Sequence, residues 1–327
     1  MSAEKEEVYR FQAACTLPRS LRRLIRPVWH VILALVQSEL LPSCRVRIER
    51  ATRVSRRFAT TLVILYALPV APVKAEAFPT HDMFRPLIAD PAEPRFFVSV
   101  LALKTPTDRL TVGSVGFGGN FGLYRWPGER PGEGWQVGIF GAADSQFDLH
   151  ENSKDLINTD FRVGFPLTYK HGRFSARARI WHQSSHLGDE LILSGNAPQR
   201  INLSVESVDF VLAWEGGGWR PYAGGYYLLH ASEDIEKRPG LHAGLDYAGR
   251  APLLGDGRLV GGVDVKWFDE LNWRPGVSVK LGLEFGRPYP QRRGITVLLE
   301  AYDGFSPFGQ FYRSDIKYYG LGVQFDL

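Results

Sequence analysis

A strict alternation of side chains runs through Asn158-Thr-Asp-Phe-Arg-Val-Gly-Phe-Pro-Leu-Thr-Tyr-Lys170. In an extended chain the apolar members fall on one face: Phe161, Val163, Phe165, Leu167 and Tyr169. The opposite face carries charged and small residues: Asp160, Arg162, Gly164 and Lys170. Period-two alternation over this length is typical of a half-buried β-strand.

Eleven further segments share this pattern, each bounded by Gly, Pro, Asp or Asn. Together the segments predict twelve strands, at 95–104, 113–125, 135–148, 158–170, 173–186, 200–214, 218–231, 240–248, 257–268, 273–285, 293–302 and 315–327. Short glycine- and proline-containing links alternate with longer polar connections. An even number of strands with such connections is typical of bacterial outer-membrane barrels. We therefore predict an all-β fold, an antiparallel transmembrane β-barrel of about 12 strands over 94–327.

A soluble, secreted β-protein has the same period, so alternation alone does not exclude it. The aromatic content of 13% and the absence of cysteine after Cys44 favour the barrel. The segment before the barrel also favours it, because it has the features of an export signal.

Residues 1–75 form a basic leader that differs from the rest of the chain. They carry 13 Lys and Arg against 5 Asp and Glu, whereas the remainder has a net charge of −4. The basic excess therefore gives no argument for nucleic-acid binding by the folded body. An arginine cluster, the apolar run 58–68 and small residues at 73–77 follow the order of a secretory signal.

We predict that this leader contains a signal peptide cleaved near Ala75 and that 76–93 is a periplasmic segment. The leader is unusually long for a signal, and a true start near Val54 would shorten it. A genuine long leader and a retained anchor are the alternatives. We expect the mature protein in the bacterial outer membrane, with membrane lipids and the barrel assembly machinery as partners and no nucleic acid.

The strand predicted over 173–186 carries the candidate chemistry. Alternation places Arg177 and Arg179 on one face, and His182 and Ser184 on the other. An arginine facing lipid at mid-membrane costs about 2 to 4 kcal/mol, so the second face is predicted to meet lipid. A serine beside an imidazole is the arrangement of nucleophilic ester hydrolysis.

A third group is expected to orient the imidazole. Glu206 faces the same way on the next strand and lies across from His182 if the connection is centred near Ser194. Asn196 is the competing candidate. The sequence thus predicts a lipid-facing hydrolase of acyl esters, acting on outer-leaflet phospholipid or lipid A. The alternative interpretation is that His182 and Ser184 are merely polar residues at a strand end.

His186, Asp189 and Glu190 follow the serine closely. Imidazole and carboxylate groups in a short loop are competent ligands for a divalent ion, so these three are candidate metal residues. A solvated loop is the alternative. Five aromatic residues fit membrane-interface girdles: Trp181, Tyr226, Tyr227, Tyr318 and Tyr319.

His182-Gln-Ser184 resembles the His-x-Ser element of outer-membrane phospholipase A, a twelve-stranded barrel, and of the lipid A deacylase barrel. The resemblance implies Ser184 as nucleophile and His182 as base, and it suggests Ca²⁺ as a cofactor through Asp189 and Glu190. In those enzymes the partner follows the serine by twelve residues, which here gives Asn196, whereas Glu206 follows by twenty-two.

A longer string, HQSSHLGDE at 182–190, together with 158–160 and 306–312, resembles an uncharacterised bacterial family over most of 80–327. That family brings no activity with it, so a non-catalytic barrel, either a narrow pore or a structural protein, is the alternative function. In such a barrel, opposing charges would cross the lumen and imply a plugged interior: Asp160, Arg162, Arg177, Arg179 and Asp209. The sequence leaves a homodimer open.

Overall fold

The computed structural model describes residues 75–151, 153–195, 201–232, 235, 238–287 and 293–326. The predicted signal peptide and Val54 lie outside these residues, as does Asn196. The chain divides into two units, 1–69 and 70–327, and the description below concerns the second.

The described chain is almost entirely β-structure. Its strands are β1 (Glu76–Ala77), β2 (Phe96–Lys104), β3 (Arg109–Pro127), β4 (Gly134–Asp148), β5 (Leu156–His171), β6 (Phe174–Leu187), β7 (Ser204–Trp214), β8 (Trp219–Ala231), β9 (Pro239–Leu254), β10 (Gly257–Phe268), β11 (Gly276–Arg287), β12 (Arg293–Phe305) and β13 (Asp315–Asp326). The helices are α1 (Asp189–Leu193) and two 3-10 turns, Asp269–Leu271 and Gly309–Phe311. Among the described residues, no helix is long and apolar enough to cross a membrane.

Strands β2–β13 close into one antiparallel barrel. Each pairs with its neighbours in the chain, and β13 pairs with β2, from Phe325 opposite Phe96 to Lys317 opposite Lys104. The predicted twelve-stranded antiparallel barrel is therefore confirmed. We call the end where β4, β6 and β12 finish the loop end, and the end where β5, β7 and β9 finish the turn end.

β3 and β9 extend furthest beyond the predicted bounds. β3 begins at Arg109, since the tight link 105–108 lets Lys104 pair directly with Arg109. β9 continues to Leu254 because Gly255, with a φ of 59°, permits a two-residue turn into β10. Both extensions continue the strand pairing up to the turn.

The barrel is apolar outside and polar inside. Phe165 is 59% exposed on the outer surface, whereas Arg177 is 2% exposed inside. A soluble β-sandwich has the opposite arrangement, so this distribution is that of an outer-membrane-like barrel.

Aromatic residues ring the turn end. Four exposed tryptophans at the strand ends there have exposures of 44 to 50%: Trp126, Trp135, Trp214 and Trp219. The girdle prediction was wrong for Trp181, Tyr226 and Tyr318. Trp181 and Tyr226 line a cavity inside the barrel, and Tyr318 is buried against Tyr302. Trp181 has the same strand parity as Arg177 and therefore faces inward with it.

Residues 79–93, which we call the plug, lie inside the barrel rather than in the predicted periplasmic position. Phe84 and Leu87 pack against the wall residue Val211. Arg177 binds the carboxylate of Glu93, with one hydrogen bond of 2.9 Å. The sequence pattern did not predict this position, because the apolar residues of the segment show no regular period. Burying them inside the barrel is nevertheless favourable.

The wall satisfies the backbone of the plug. Arg220 is fully buried, and its guanidinium donates to the carbonyl oxygens of Arg85 and Pro86 as well as to the Asp246 carboxylate. Arg162 donates to the carbonyl oxygen of Ala92. Such contacts are required because an irregular buried segment leaves its polar backbone groups without ladder partners.

The plug rises from the turn end and returns to it. Asp82 accepts a hydrogen bond from Gln136 near the start, and Arg95 donates to Gln324 after the return. Its apex, 90–92, reaches the level of Lys266, close to the loop end of β10. Between this apex and the loop end lies a cavity of about 220 Å³, which we call the loop-end cavity.

Candidate functional site

The loop end of β6 places His182 and Ser184 on the outer surface. Along this strand Arg177 and Ser185 are buried inside, while Ile180 is exposed outside. His182 and Ser184 share the outward parity of Ile180. The side chain of His182 is 41% exposed.

The depth of this position follows from strand geometry. Ser184 lies ten residues beyond Phe174, which begins β6 at the turn end. At about 3.3 Å per residue and a tilt of about 40°, the rise along the barrel axis is about 25 Å. The apolar band of outer-membrane barrels is about 25 Å tall, and a band that began at Phe174 would end near Ser184.

His182 pairs with Glu206 across the β6–β7 ladder. The two residues lie directly opposite each other, and His182 Nδ1 lies 3.0 Å from Glu206 Oε1. The Glu206 side chain is also 41% exposed on the outer surface. A carboxylate at Nδ1 favours the tautomer whose Nε2 is an acceptor, the form that a general base requires.

Ser184 lies beside this pair without a bond to it. The nearest same-face positions on a strand are about 6.6 Å apart along the chain, which makes Ser184 and His182 neighbours. Within the described part of the chain, no hydrogen bond joins the Ser184 hydroxyl to the imidazole. Catalytic hydrogen bonds are often long in unliganded enzymes and tighten when substrate binds. The three residues can therefore act as nucleophile, base and orienting acid only after a local adjustment.

The inner side of the same strand end is fixed by a loop from the far end of the sequence. Asp160 accepts hydrogen bonds from the Ser185 hydroxyl and from the Gly309 backbone N–H, the latter at 2.9 Å. Gln310 Nε2 donates to the carbonyl oxygens of Ser185, at 2.6 Å, and Ile201, at 3.0 Å. These contacts hold the backbone adjacent to Ser184.

Sequence reasoning did not assign this supporting role to Asp160, Gly309 or Gln310. Asp160 was interpreted as a lumen charge, and the other two as part of a signature string. The signal was present in the resemblance, because the three strings 158–160, 182–190 and 306–312 meet at this point.

The three candidate metal residues near the serine are not brought together. His186 packs its ring against Phe161, and Asp189 and Glu190 form the first turn of α1, where carboxylates favour the helix amino terminus. The group of three ligand side chains that the described residues do form lies elsewhere, inside the barrel, at Asp90, His242 and Asp264. The calcium prediction therefore gains no geometric support.

Comparison with known proteins identifies the family of the chain. A family model described as a protein of unknown function, DUF1207, matches residues 42–327. The chain belongs to the DUF1207 family. This confirms the resemblance to an uncharacterised family with outer-membrane character. No curated protein matches this DUF1207 member.

Two solved structures share the fold of this DUF1207 chain. The calcium-bound dimer of outer membrane phospholipase from Salmonella typhi matches with a TM-score of 0.51 and 15% identity, covering 72% of this chain and 93% of that one. Outer membrane phospholipase A from Escherichia coli matches with a TM-score of 0.51 and 14% identity, covering 75% and 96%. At this identity the likeness establishes an outer-membrane-like barrel fold alone.

Proposed function

We propose that this chain is an outer-membrane enzyme that hydrolyses an acyl ester of outer-leaflet phospholipid or lipid A. Ser184 is the nucleophile, His182 the general base and Glu206 the group that orients the imidazole, with Asn196 as the alternative third member. The observation that carries the proposal is the 3.0 Å contact of His182 with Glu206 on the outer surface, beside a serine. Charge compensation in the lumen would explain an ion pair buried inside the barrel. It does not explain the His182–Glu206 pair, which lies on the outer surface.

The proposed reaction uses these groups in two steps. The Ser184 hydroxyl oxygen attacks the ester carbonyl carbon while His182 Nε2 takes its proton and passes it to the departing alcohol. Water then attacks the acyl-serine, giving its proton to His182, and the fatty acid leaves as Ser184 is re-protonated. The position of Ser184 near the top of the apolar band suits an ester at the boundary of acyl chains and headgroups.

The proposal extends to two further properties, a calcium requirement and a homodimeric active form. The Salmonella typhi phospholipase structure is a dimer with bound calcium, and both are properties of that protein. For this chain, a calcium requirement and a homodimeric active form are both proposals, and the comparison with and without Ca²⁺ tests the first. Calcium binding through His186, Asp189 and Glu190 would require these side chains to move together.

The deciding experiment is acyl release from mixed micelles of phospholipid and lipopolysaccharide by the full chain folded in detergent, with and without Ca²⁺. Ser184→Ala is compared with Ser145→Ala, which removes a serine of the outer face near the loop end of β4 that bonds Thr159. We expect release by the native chain and by Ser145→Ala, and loss in Ser184→Ala. Folded native protein that releases no acid, or unchanged release by Ser184→Ala, contradicts the proposal.

A non-catalytic barrel is the second candidate. It is favoured by the missing hydrogen bond between Ser184 and His182 in the described residues. The plug in the lumen supports a structural or binding role over an open pore. The absence of acyl release in the same assay would favour this candidate.

A further inference from the structure

Three potential ligands from three segments meet inside the barrel, whereas Ser184 faces outward. They are Asp90 of the plug apex, His242 of β9 and Asp264 of β10, and one ligand atom from each lies within 4.8 Å of the other two. All three line the floor of the loop-end cavity. None of them takes part in the proposed hydrolysis.

Asp90 has one carboxylate oxygen engaged and one without a partner. Its Oδ1 accepts hydrogen bonds from the Ala92 backbone N–H, at 2.8 Å, and from Lys266 Nζ, at 2.5 Å. Its Oδ2 is buried and has no hydrogen-bond partner among the described atoms. The side chain is only 1% exposed. A buried carboxylate oxygen without a partner is costly, and a cation would satisfy it.

His242 and Asp264 are oriented by a residue outside the trio. His242 Nε2 contacts Asp264 Oδ2, and the Tyr222 hydroxyl donates to the same oxygen at 2.7 Å. The Tyr222 ring also packs edge-on against His242, with centroids 5.4 Å apart. Tyr222 reaches Asp264 by crossing β9 at Gly244, where any Cβ would collide with the tyrosine ring. Such support of metal ligands by outer groups is common in metal sites.

We infer that Asp90, His242 and Asp264 bind one divalent transition-metal ion of the Zn²⁺ type. One imidazole nitrogen and two carboxylate oxygens form a donor set that zinc and its neighbours accept. The ion takes the place of the His242–Asp264 hydrogen bond and engages the unpartnered oxygen of Asp90.

Two consequences distinguish this site from a simple ion pair. Three protein ligands leave a coordination position open, and it faces the loop-end cavity, where water or a small donor ligand can occupy it. The ion also joins the plug to the wall, because Asp90 comes from the plug and the other two ligands from the barrel. Metal binding is therefore expected to stabilise the seated plug.

The test is Zn²⁺ binding to the full chain folded in detergent, measured by metal analysis after dialysis and by titration calorimetry, with Co²⁺ absorption as a readout of ligand geometry. The variants are Asp90→Asn and His242→Gln. The control is Glu300→Gln, which removes a buried acid of the wall that pairs with Lys280 at 3.0 Å, outside the cluster.

We expect one ion per chain in the native protein and in Glu300→Gln, and a dissociation constant raised more than about tenfold in both ligand variants, since loss of even an outer partner has an effect of that size. Circular dichroism checks folding. Tyr222→Phe keeps all three ligands and serves as a second variant in case a ligand variant does not fold. We expect it to bind Zn²⁺ with several-fold weaker affinity. Folded native protein that binds no stoichiometric ion, or binding unchanged in the folded ligand and tyrosine variants, overturns the inference.

Discussion

Gln310 donates a hydrogen bond of 2.6 Å from Nε2 to the carbonyl oxygen of Ser185, the residue that follows the candidate nucleophile. The donor lies in the 3-10 turn after β12, which is more than a hundred residues away in the chain. The inner face of the barrel thus controls the backbone from which an outward-facing serine projects.

Replacing Gln310 is expected to reduce acyl release without removing a group that touches lipid. Gln310→Ala leaves the Ser185 and Ile201 carbonyl oxygens without their donor. Because misplacement by about 1 Å can cost about 100-fold, we expect a loss of about tenfold or more in the turnover rate. The matched control is Gln146→Ala, a buried lumen glutamine that bonds Ser114. Equal rates in the two variants would contradict the positioning role.

The partner of His182 is tested by two replacements of Glu206. Glu206→Ala removes the acceptor at Nδ1, and we expect a decrease of about 100-fold or more in acyl release, the lower range for losing acid–base catalysis. Glu206→Gln keeps an acceptor and should retain more activity. Asp303→Ala, which breaks an exposed pair with Lys317, is the control. Full activity in Glu206→Ala would transfer the role to Asn196.

Arg220 should be among the most sensitive residues of the lumen. Arg220→Ala leaves the buried Asp246 carboxylate without its cationic partner and two carbonyl oxygens of the plug without their donor. We expect the free energy of unfolding to fall by about 3 to 5 kcal/mol, as for other broken buried pairs. Arg274→Ala, which removes an exposed pair with Asp315, should cost no more than about 1 kcal/mol. Urea unfolding in detergent measures both, and similar losses would argue against the role of Arg220.

Conductance measurements test whether the plug closes the barrel. In planar bilayers we expect the native chain to conduct little, because the buried plug, 79–93, occupies part of the lumen. Replacing 79–93 by a flexible linker of the same length should produce step-like conductance. Ser184→Ala changes the outer face alone and should behave like the native chain. Equal conductance in the native and linker chains would show that the plug does not seal the lumen.

The barrel could be predicted because its information is local. Each strand repeats the two-residue period seen in 158–170, and the arginine positions on β6 decide which face meets lipid. The extensions of β3 back to Arg109 and of β9 on to Leu254 were not predicted, because a few residues there choose between strand and loop.

The plug could not be predicted, because its partners come from distant strands. Phe84 and Glu93 show no period, and the arginines that receive them, Arg177 and Arg220, have the same pattern as any lumen charge. The cluster of Asp90, His242 and Asp264 could not be predicted for the same reason, because Asp90 belongs to the plug.

The candidate site was accessible only in part. Strand alternation predicted that His182, Ser184 and Glu206 share one surface. The register between β6 and β7 depends on the connection between these strands. Pairing of His182 with Glu206 therefore required the assumption that this connection is centred near Ser194. The structure has this register. The catalytic role of the three residues stays a prediction. The support from Gln310 could not be derived, because it joins segments that no local pattern relates.

The plug also bears on how the molecule is assembled. It precedes every barrel strand in the chain, and the strand that follows it, β2, forms the closing seam with β13, the twelfth strand of the barrel. Asp90 and Glu93 can reach their cationic partners easily while that seam is open. After β2 and β13 have paired, Asp90 and Glu93 would have to enter a closed barrel and pass its inward-facing arginines. We therefore expect the plug to be seated before β13 pairs with β2, so that closure of this seam encloses it.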